Sequence, residues 1–503
     1  MENLEKEFLD YIKKMQAYEE AINVMYWDMR TGAPKKGIEQ RSEVIGMLSA
    51  EAFEMLVSDK MSDYLEKLSD ENVFASLGFV TQKAVELLKK EYQKNKLIPA
   101  KEYQEYVILC SKAEGVWEEA KEKSAFQLFA PYLKKLVDYN KKLIGYWGYK
   151  ENKYDTLLNE YEPGMTVDIL DKVFAQVREK IVPLVKSIAA SSEKPKTDFI
   201  YKEFPKEAQK KFSEFILQEI GYDFDAGRLD ETVHPFEITL NRGDVRVTTK
   251  YDVEDFRTAI FGTIHECGHA IYEQNISKDL EGTLLCSGTS MGIHESQSLF
   301  YENFIGRNKG FWERYFDVMK EYSSSQFSAI SLDDYYQAIN ESKPSLIRIE
   351  ADELTYPLHV MVRYEIEKAL FNDEITVDEL PRIWNEKYEE YLGVTPPNDA
   401  KGVLQDVHWA GGSFGYFPSY ALGYMYAAQF KNAMLKDLPD FDELVKEGQF
   451  EKIKDWLTEN IHKYGKTKQP LDILNDVTGE SLNAEYLTTY LEEKYTDIYK
   501  LKS

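Results

Sequence analysis

The sequence predicts a mainly α-helical protein: one large helical body, its lobes set around a cleft, with a single β-hairpin built into it. Two patterns predict this. Apolar residues return in steps of three and four through most of the first 200 residues, the period of a helix buried along one face. Residues 236–249 break that rhythm and alternate in steps of two. With 43% hydrophobic and 14% aromatic residues, 503 residues can fill a core of that size.

Taken in order, the first helix carries Leu4, Phe8, Tyr11 or Ile12, Met15, Tyr18, Ile22 and Met25 on one stripe, and Gly32 and Pro34 end it. Pro99 precedes AKEYQEYVILC, where a proline suits a first helical turn. No repeat, low-complexity tract or linker interrupts the pattern. Residues 1–503 are therefore expected to form one domain, with the functional half at about 230–425. In the alternating stretch, Phe236, Ile238 and Leu240 precede the turn residues Asn241-Arg242-Gly243-Asp244, and Val245, Val247 and Thr249 follow. The resulting hairpin stands just ahead of the helix that carries the chemistry. Its edge strand either pairs with the backbone of an extended peptide or simply packs on helices.

A net charge of −26 disfavours a nucleic-acid or anionic-membrane partner, since both need clustered cations. No stretch reaches 18 uninterrupted apolar residues, and the first residues, MENLEKEFLDYIKK, lack the apolar run of a signal peptide. Three widely spaced cysteines, Cys110, Cys267 and Cys286, argue against a disulfide framework. A cytoplasmic protein is expected.

The segment TAIFGTIHECGHAIYEQ sets His265, Glu266 and His269 in the HExxH pattern. On a helix His265 and His269 lie within roughly 40° of each other, so two imidazoles can grip one ion. Glu266, at about 100°, can reach a water on the metal without being a ligand, and Cys267, at about 200°, points away. The alternative is a pair of histidines satisfied by core or solvent. The apolar flank from Ala259 to Tyr272 argues for burial, and buried imidazoles one turn apart need a partner that a metal supplies.

A catalytic zinc takes three protein ligands and keeps one position open. The HExxHxxGxxH arrangement is excluded, because Tyr272 and Asn275 stand where the glycine and third histidine would be. Downstream, SMGIHESQSLFYENFIG resumes a helical pattern with Glu295 and Glu302 two turns apart on one face, and either can complete the site. His294 competes, but it projects about 100° from Glu295 and reads better as a supporting or core residue.

Eight segments carry a resemblance: WDMRTGAP (27–34), HPF (234–236), DVRVT (244–248), HECGH (265–269), HESQS (294–298), IRIEAD (347–352), GVLQDVHW (402–409) and TGESL (478–482). Together they resemble the carboxypeptidase Taq family of metallopeptidases. The resemblance implies His265, His269 and Glu295 as ligands of one zinc per subunit, with Co2+ as a substitute ion. It also implies a neurolysin-like helical fold with a deep substrate cleft, a homodimer, and release of one residue at a time from a free peptide C-terminus with broad tolerance. Zinc chemistry alone does not separate this from an oligopeptidase that cuts internally.

A carboxypeptidase must hold the terminal carboxylate, which asks for a cation beyond the metal. Arg348 and Arg246 are the candidates. Their bland alternatives are an intrahelical pair with Asp352 for the first and a solvated strand residue near Asp244 for the second. His234, His408 and Tyr420 are further candidates for hydrogen bonds to the substrate or its oxyanion. His359 and His462 read as structural.

Overall fold

The stripe along the first helix is the face that the fold buries. In helix Glu2–Thr31, Phe8, Ile12 and Ile22 are buried, and Leu4, Tyr11, Met15, Tyr18 and Met25 are half-buried. The computed structural model describes residues 2–501. To residue 220 helix follows helix. Pro99 is the N-cap of Ala100–Glu122, one position ahead of the first turn, where its missing N–H leaves no helical bond unmade. Helix Phe126–Trp147 buries Leu133, Leu136, Val137 and Ile144, and helix Val167–Ala190 buries Leu170, Val173, Val177 and Ile181. These faces join one continuous core, in which each fully buried side chain of this kind contributes roughly 1.5–3 kcal/mol. Among the described residues no helix is long and apolar enough to cross a membrane.

The sheet has three strands: β1 (Leu229–Glu231), β2 (Glu237–Asn241) and β3 (Asp244–Thr249), in the order β1-β3-β2. The expected hairpin is β2 and β3, antiparallel, with Glu237 opposite Val247 and Ile238 opposite Arg246. β1 pairs in parallel on the far side of β3, and three residues are too few to show a two-residue period in sequence.

Both faces of the sheet are covered. Thr249 meets Thr263 of helix Arg257–Gln274 through a 2.8 Å hydrogen bond between their hydroxyls, so Val245, Val247 and Thr249 face that helix. Cross-strand register sends Glu237 and Thr239 to the same face. Phe236, Ile238 and Arg246 take the other face, where the Trp27 ring of the first helix lies 5.8 Å from Phe236 and Asn23 donates to the Thr239 carbonyl at 3.0 Å. The packing role of the hairpin is therefore visible on both sides, and one β2 carbonyl is already taken.

Helix Arg257–Gln274 packs on helix Met291–Leu299, which in turn packs on helix Pro418–Asp437. Glycine stands at each close approach. A Cβ on Gly268 would lie 2.5 Å from the Gln297 carbonyl oxygen, and one on Gly423 would lie 2.6 Å from Glu295 Cβ. After Leu299 the middle helix widens into a π-helical segment, Phe300–Gly306, a form that recurs at functional sites.

Candidate metal centre

Helix Arg257–Gln274 buries Ala259, Ile260, Phe261, Ile264, Ala270, Ile271 and Tyr272, the apolar flank read in the sequence. That burial fixes the rotation of the helix and aims His265 and His269 at helix Met291–Leu299. Their rings stand 5.1 Å apart. Glu295 Oε2 lies 3.8 Å from His265 Nε2 and 3.5 Å from His269 Nε2. One ligand atom from each of the three lies within 4.8 Å of the others.

These donors fit a zinc-sized ion. Three ligand atoms at about 2.0–2.2 Å in tetrahedral array sit about 3.4 Å apart, close to the spacing found and longer than a well-formed hydrogen bond. The rear nitrogens are engaged elsewhere. His265 Nδ1 meets Glu302 Oε2 at 2.9 Å, and His269 Nδ1 meets His294 Nδ1 at 2.6 Å. Each Nε2 is thereby left to face Glu295. Glu302, the alternative third ligand, stands behind His265 and accepts from Arg307 Nη2 at 3.0 Å. His294 stands behind His269, and Cys267 is buried in the core.

The charges follow. Burial opposes a charge on His265, yet the Glu295 and Glu302 carboxylates overcome it and raise the imidazole to about 10. Burial, with His294 and His265 beside it, holds His269 down at about 4. Burial would raise Glu302, but the His265 hydrogen bond and the Arg307 charge keep it at about 2. A divalent ion held here would need both imidazoles deprotonated. Burial lifts the Glu266 carboxyl to about 7, in the range suited to exchanging a proton near neutrality.

A second cluster gathers residues from IRIEAD and GVLQDVHW. Arg348 begins a 3-10 turn, Arg348–Glu350, and is 5% exposed. Its Nε donates to Asp406 Oδ1 at 3.1 Å, its Nη1 donates to the Tyr356 hydroxyl at 3.2 Å, and its guanidinium lies 4.7 Å from the Tyr420 ring centre. The intrahelical pair with Asp352 does not form. Asp352 instead accepts from the backbone of Leu354 and Thr355 and from the Thr355 hydroxyl, just ahead of helix Tyr356–Phe371. Arg363 holds the other Asp406 oxygen through Nε at 2.6 Å. His408 Nε2 meets the Tyr420 hydroxyl at 3.1 Å, while His408 Nδ1 is buried without a partner. Burial and then the charge of Arg348 lower His408 to about 4, so its ring is neutral at pH 7. Burial raises the Tyr356 and Tyr420 hydroxyls, and Glu295 is among the charges that add to it, which sets this cluster within electrostatic reach of Glu295.

Arg246 and His234 are placed elsewhere. Arg246 forms a two-point pair with Asp244, both bonds 2.7 Å, and lies over Trp27 on the sheet face turned away from the HExxH helix. A strand alternates its side chains, and the valines on either side of Arg246 occupy the other face. His234 is exposed on the loop between β1 and β2. His359 and His462 are buried and hydrogen-bonded to Tyr388 and Gln297. Sequence reasoning missed Asp406, Arg363 and Tyr356, whose only sequence signal is their place in or near two family segments. It also missed Glu162, whose carboxylate accepts from the Gly292 N–H at 2.9 Å at the start of the helix that bears Glu295.

A model of the family described as carboxypeptidase Taq (M32) metallopeptidase matches residues 7–495. Carboxypeptidase 1 of Bacillus subtilis is 63% identical over 497 residues, 99% of both chains. Thermostable carboxypeptidase 1 of Thermus thermophilus is 40% identical over 94% of both. The crystal structure of an M32 carboxypeptidase from Deinococcus radiodurans superposes with a TM-score of 0.96 at 32% identity, covering 99% of this chain and 100% of that one.

Proposed function

The chain belongs to the carboxypeptidase Taq (M32) family of metallopeptidases and is a peptide hydrolase of the carboxypeptidase type; from that premise we propose that it releases single amino acids from free peptide C-termini, with broad side-chain tolerance, using a zinc ion held by His265, His269 and Glu295. Zinc bound there supplies a Lewis acid that polarises the scissile carbonyl and acidifies water. Glu266 accepts the proton of the attacking water and returns it to the departing amine nitrogen, so one carboxylate serves both transfers and no covalent enzyme adduct is needed. The Tyr420 hydroxyl, accepting from Nε2 of neutral His408, offers its hydrogen to the oxyanion that develops on the substrate. Arg348, desolvated and aimed by Asp406, supplies the charge that selects a terminal carboxylate.

One observation carries this reading: the Nε2 atoms of His265 and His269 and a Glu295 oxygen converge while both rear nitrogens are engaged. The test is mass spectrometry of one peptide, free and C-terminally amidated, after incubation with zinc-loaded protein. A ladder shortened from the C-terminus in the free peptide alone is expected. Equal internal cleavage of both peptides would refute the terminal-carboxylate reading.

A further inference from the structure

We infer that Glu273 and His294 form a positioning relay behind His269 that fixes which ring nitrogen of that ligand faces the ion; the inference rests on the ligand set proposed above. The two histidines are backed differently. Behind His265 a carboxylate stands directly, Glu302. Behind His269 comes a second imidazole, and only then a carboxylate: His294 Nε2 lies 2.9 Å from Glu273 Oε1.

Hydrogen counting leaves one solution for this chain. Two nitrogens 2.6 Å apart share one proton between them. A ligating His269 uses the lone pair on Nε2, so its ring hydrogen resides on Nδ1 and is donated to His294. His294 Nδ1 must then accept, which puts its own hydrogen on Nε2, where Glu273 receives it. Glu273 is itself pinned, because the same Oε1 accepts from the Gly288 N–H at 2.7 Å and the side chain is 3% exposed. Were His294 to donate from Nδ1 instead, His269 would carry its hydrogen on Nε2 and lose the ligand lone pair. Glu273 thus selects a tautomer two residues removed from the ion.

Packing holds the middle of the relay in place. A Cβ on Gly288 would lie 2.6 Å from His294 Cδ2 and 2.8 Å from Tyr272 Cε1, so only glycine leaves this slot open. The Tyr272 ring, 5.3 Å from that of His294, closes another side.

The test compares metal-free parent, Glu273→Ala and Glu273→Gln proteins in competition for Zn2+ with a chromophoric chelator, together with the visible spectrum of each Co2+-loaded form. Glu273→Ala is expected to weaken Zn2+ binding about 10–100-fold and to shift the Co2+ bands. Glu273→Gln keeps an acceptor oxygen for His294 and is expected to recover most of the affinity. Thermal unfolding of the metal-free forms reports whether each is folded. Gly288→Ala crowds the same ring at Cδ2, beside the Glu273 contact, and is expected to show the same loss, so it serves where Glu273→Ala does not fold. A folded Glu273→Ala that binds Zn2+ within twofold of the parent overturns the relay, as does a Gln variant as weak as the Ala variant. A parent that fails to bind Zn2+, or a His269→Ala that binds it equally well, overturns the ligand set instead.

Discussion

Glu302 Oε2 lies 2.9 Å from Nδ1 of His265, on the side of the ring opposite Glu295. In the proposed site one glutamate completes the ligand set and the other steers a ligand. Removal of each should weaken metal by different amounts. Glu302→Ala is expected to lower Zn2+ affinity about 10–100-fold, while Glu295→Ala, which deletes a donor, lowers it further. Chelator competition ranks the two, and the reverse order would exchange their roles.

Glu266→Gln keeps the shape of the side chain and removes the base. The variant should bind zinc as the parent does and lose about two to four orders of magnitude in kcat. His265→Ala should lose metal and activity together. Elemental analysis beside steady-state kinetics separates these cases, and a zinc-replete Glu266→Gln protein of normal activity contradicts the assignment.

Arg348 and Arg363 share Asp406, so they can be told apart. Arg348→Met should erase the preference for a free over an amidated C-terminus, chiefly through a higher KM. Arg363→Met removes one of the two guanidinium partners of Asp406 and should lower thermal stability while Arg348 keeps its pair. Matched kinetics and melting curves test the division.

Gly423→Ala places a methyl group 2.6 Å from Glu295 Cβ and Cγ. Overpacking of this kind destabilises by about 1–3 kcal/mol, and here the relief available is movement of a metal ligand. A drop in zinc affinity is expected in addition to a lower Tm. Unchanged affinity would mean that the Pro418–Asp437 helix moves instead.

Glu162, at the start of the helix that bears Glu295, provides a pH prediction for stability. Burial raises its carboxyl to about 7 against the hydrogen bonds from Tyr426 and Gly292. The folded state therefore holds a proton that the unfolded chain releases above about 4.5. Stability from this group is present in acid, declines as pH rises from about 4.5 to 7, and stays flat above; the span is about 3 kcal/mol. Denaturant unfolding of metal-free parent and Glu162→Gln across that window should show the decline in the parent only.

Sequence patterning revealed the helical body, because apolar stripes such as Phe8, Ile12 and Ile22 are dictated by burial. It revealed the hairpin through the alternation of Val245 and Val247, and the histidine pair through helical spacing. The choice between Glu295 and Glu302 could not be made from spacing, since both stand on one helix face and only the packing of two helices decides which reaches Nε2 and which reaches Nδ1. Arg246 was ambiguous for a similar reason: a cation one residue from a buried valine gives no hint of which face of the sheet meets the HExxH helix. Glu162 and Glu273 were invisible because a buried carboxylate with distant partners has no local signature.

The ligand triad occupies residues 265–295, whereas Arg348, Asp406, His408 and Tyr420 come from a later stretch of chain. On the proposed reading, the residues that hold the ion and Arg348, the gauge of where a substrate ends, are thus written in separate passages of sequence. Substitution at Arg348 can then alter which peptides are accepted and leave the ion's holders in place.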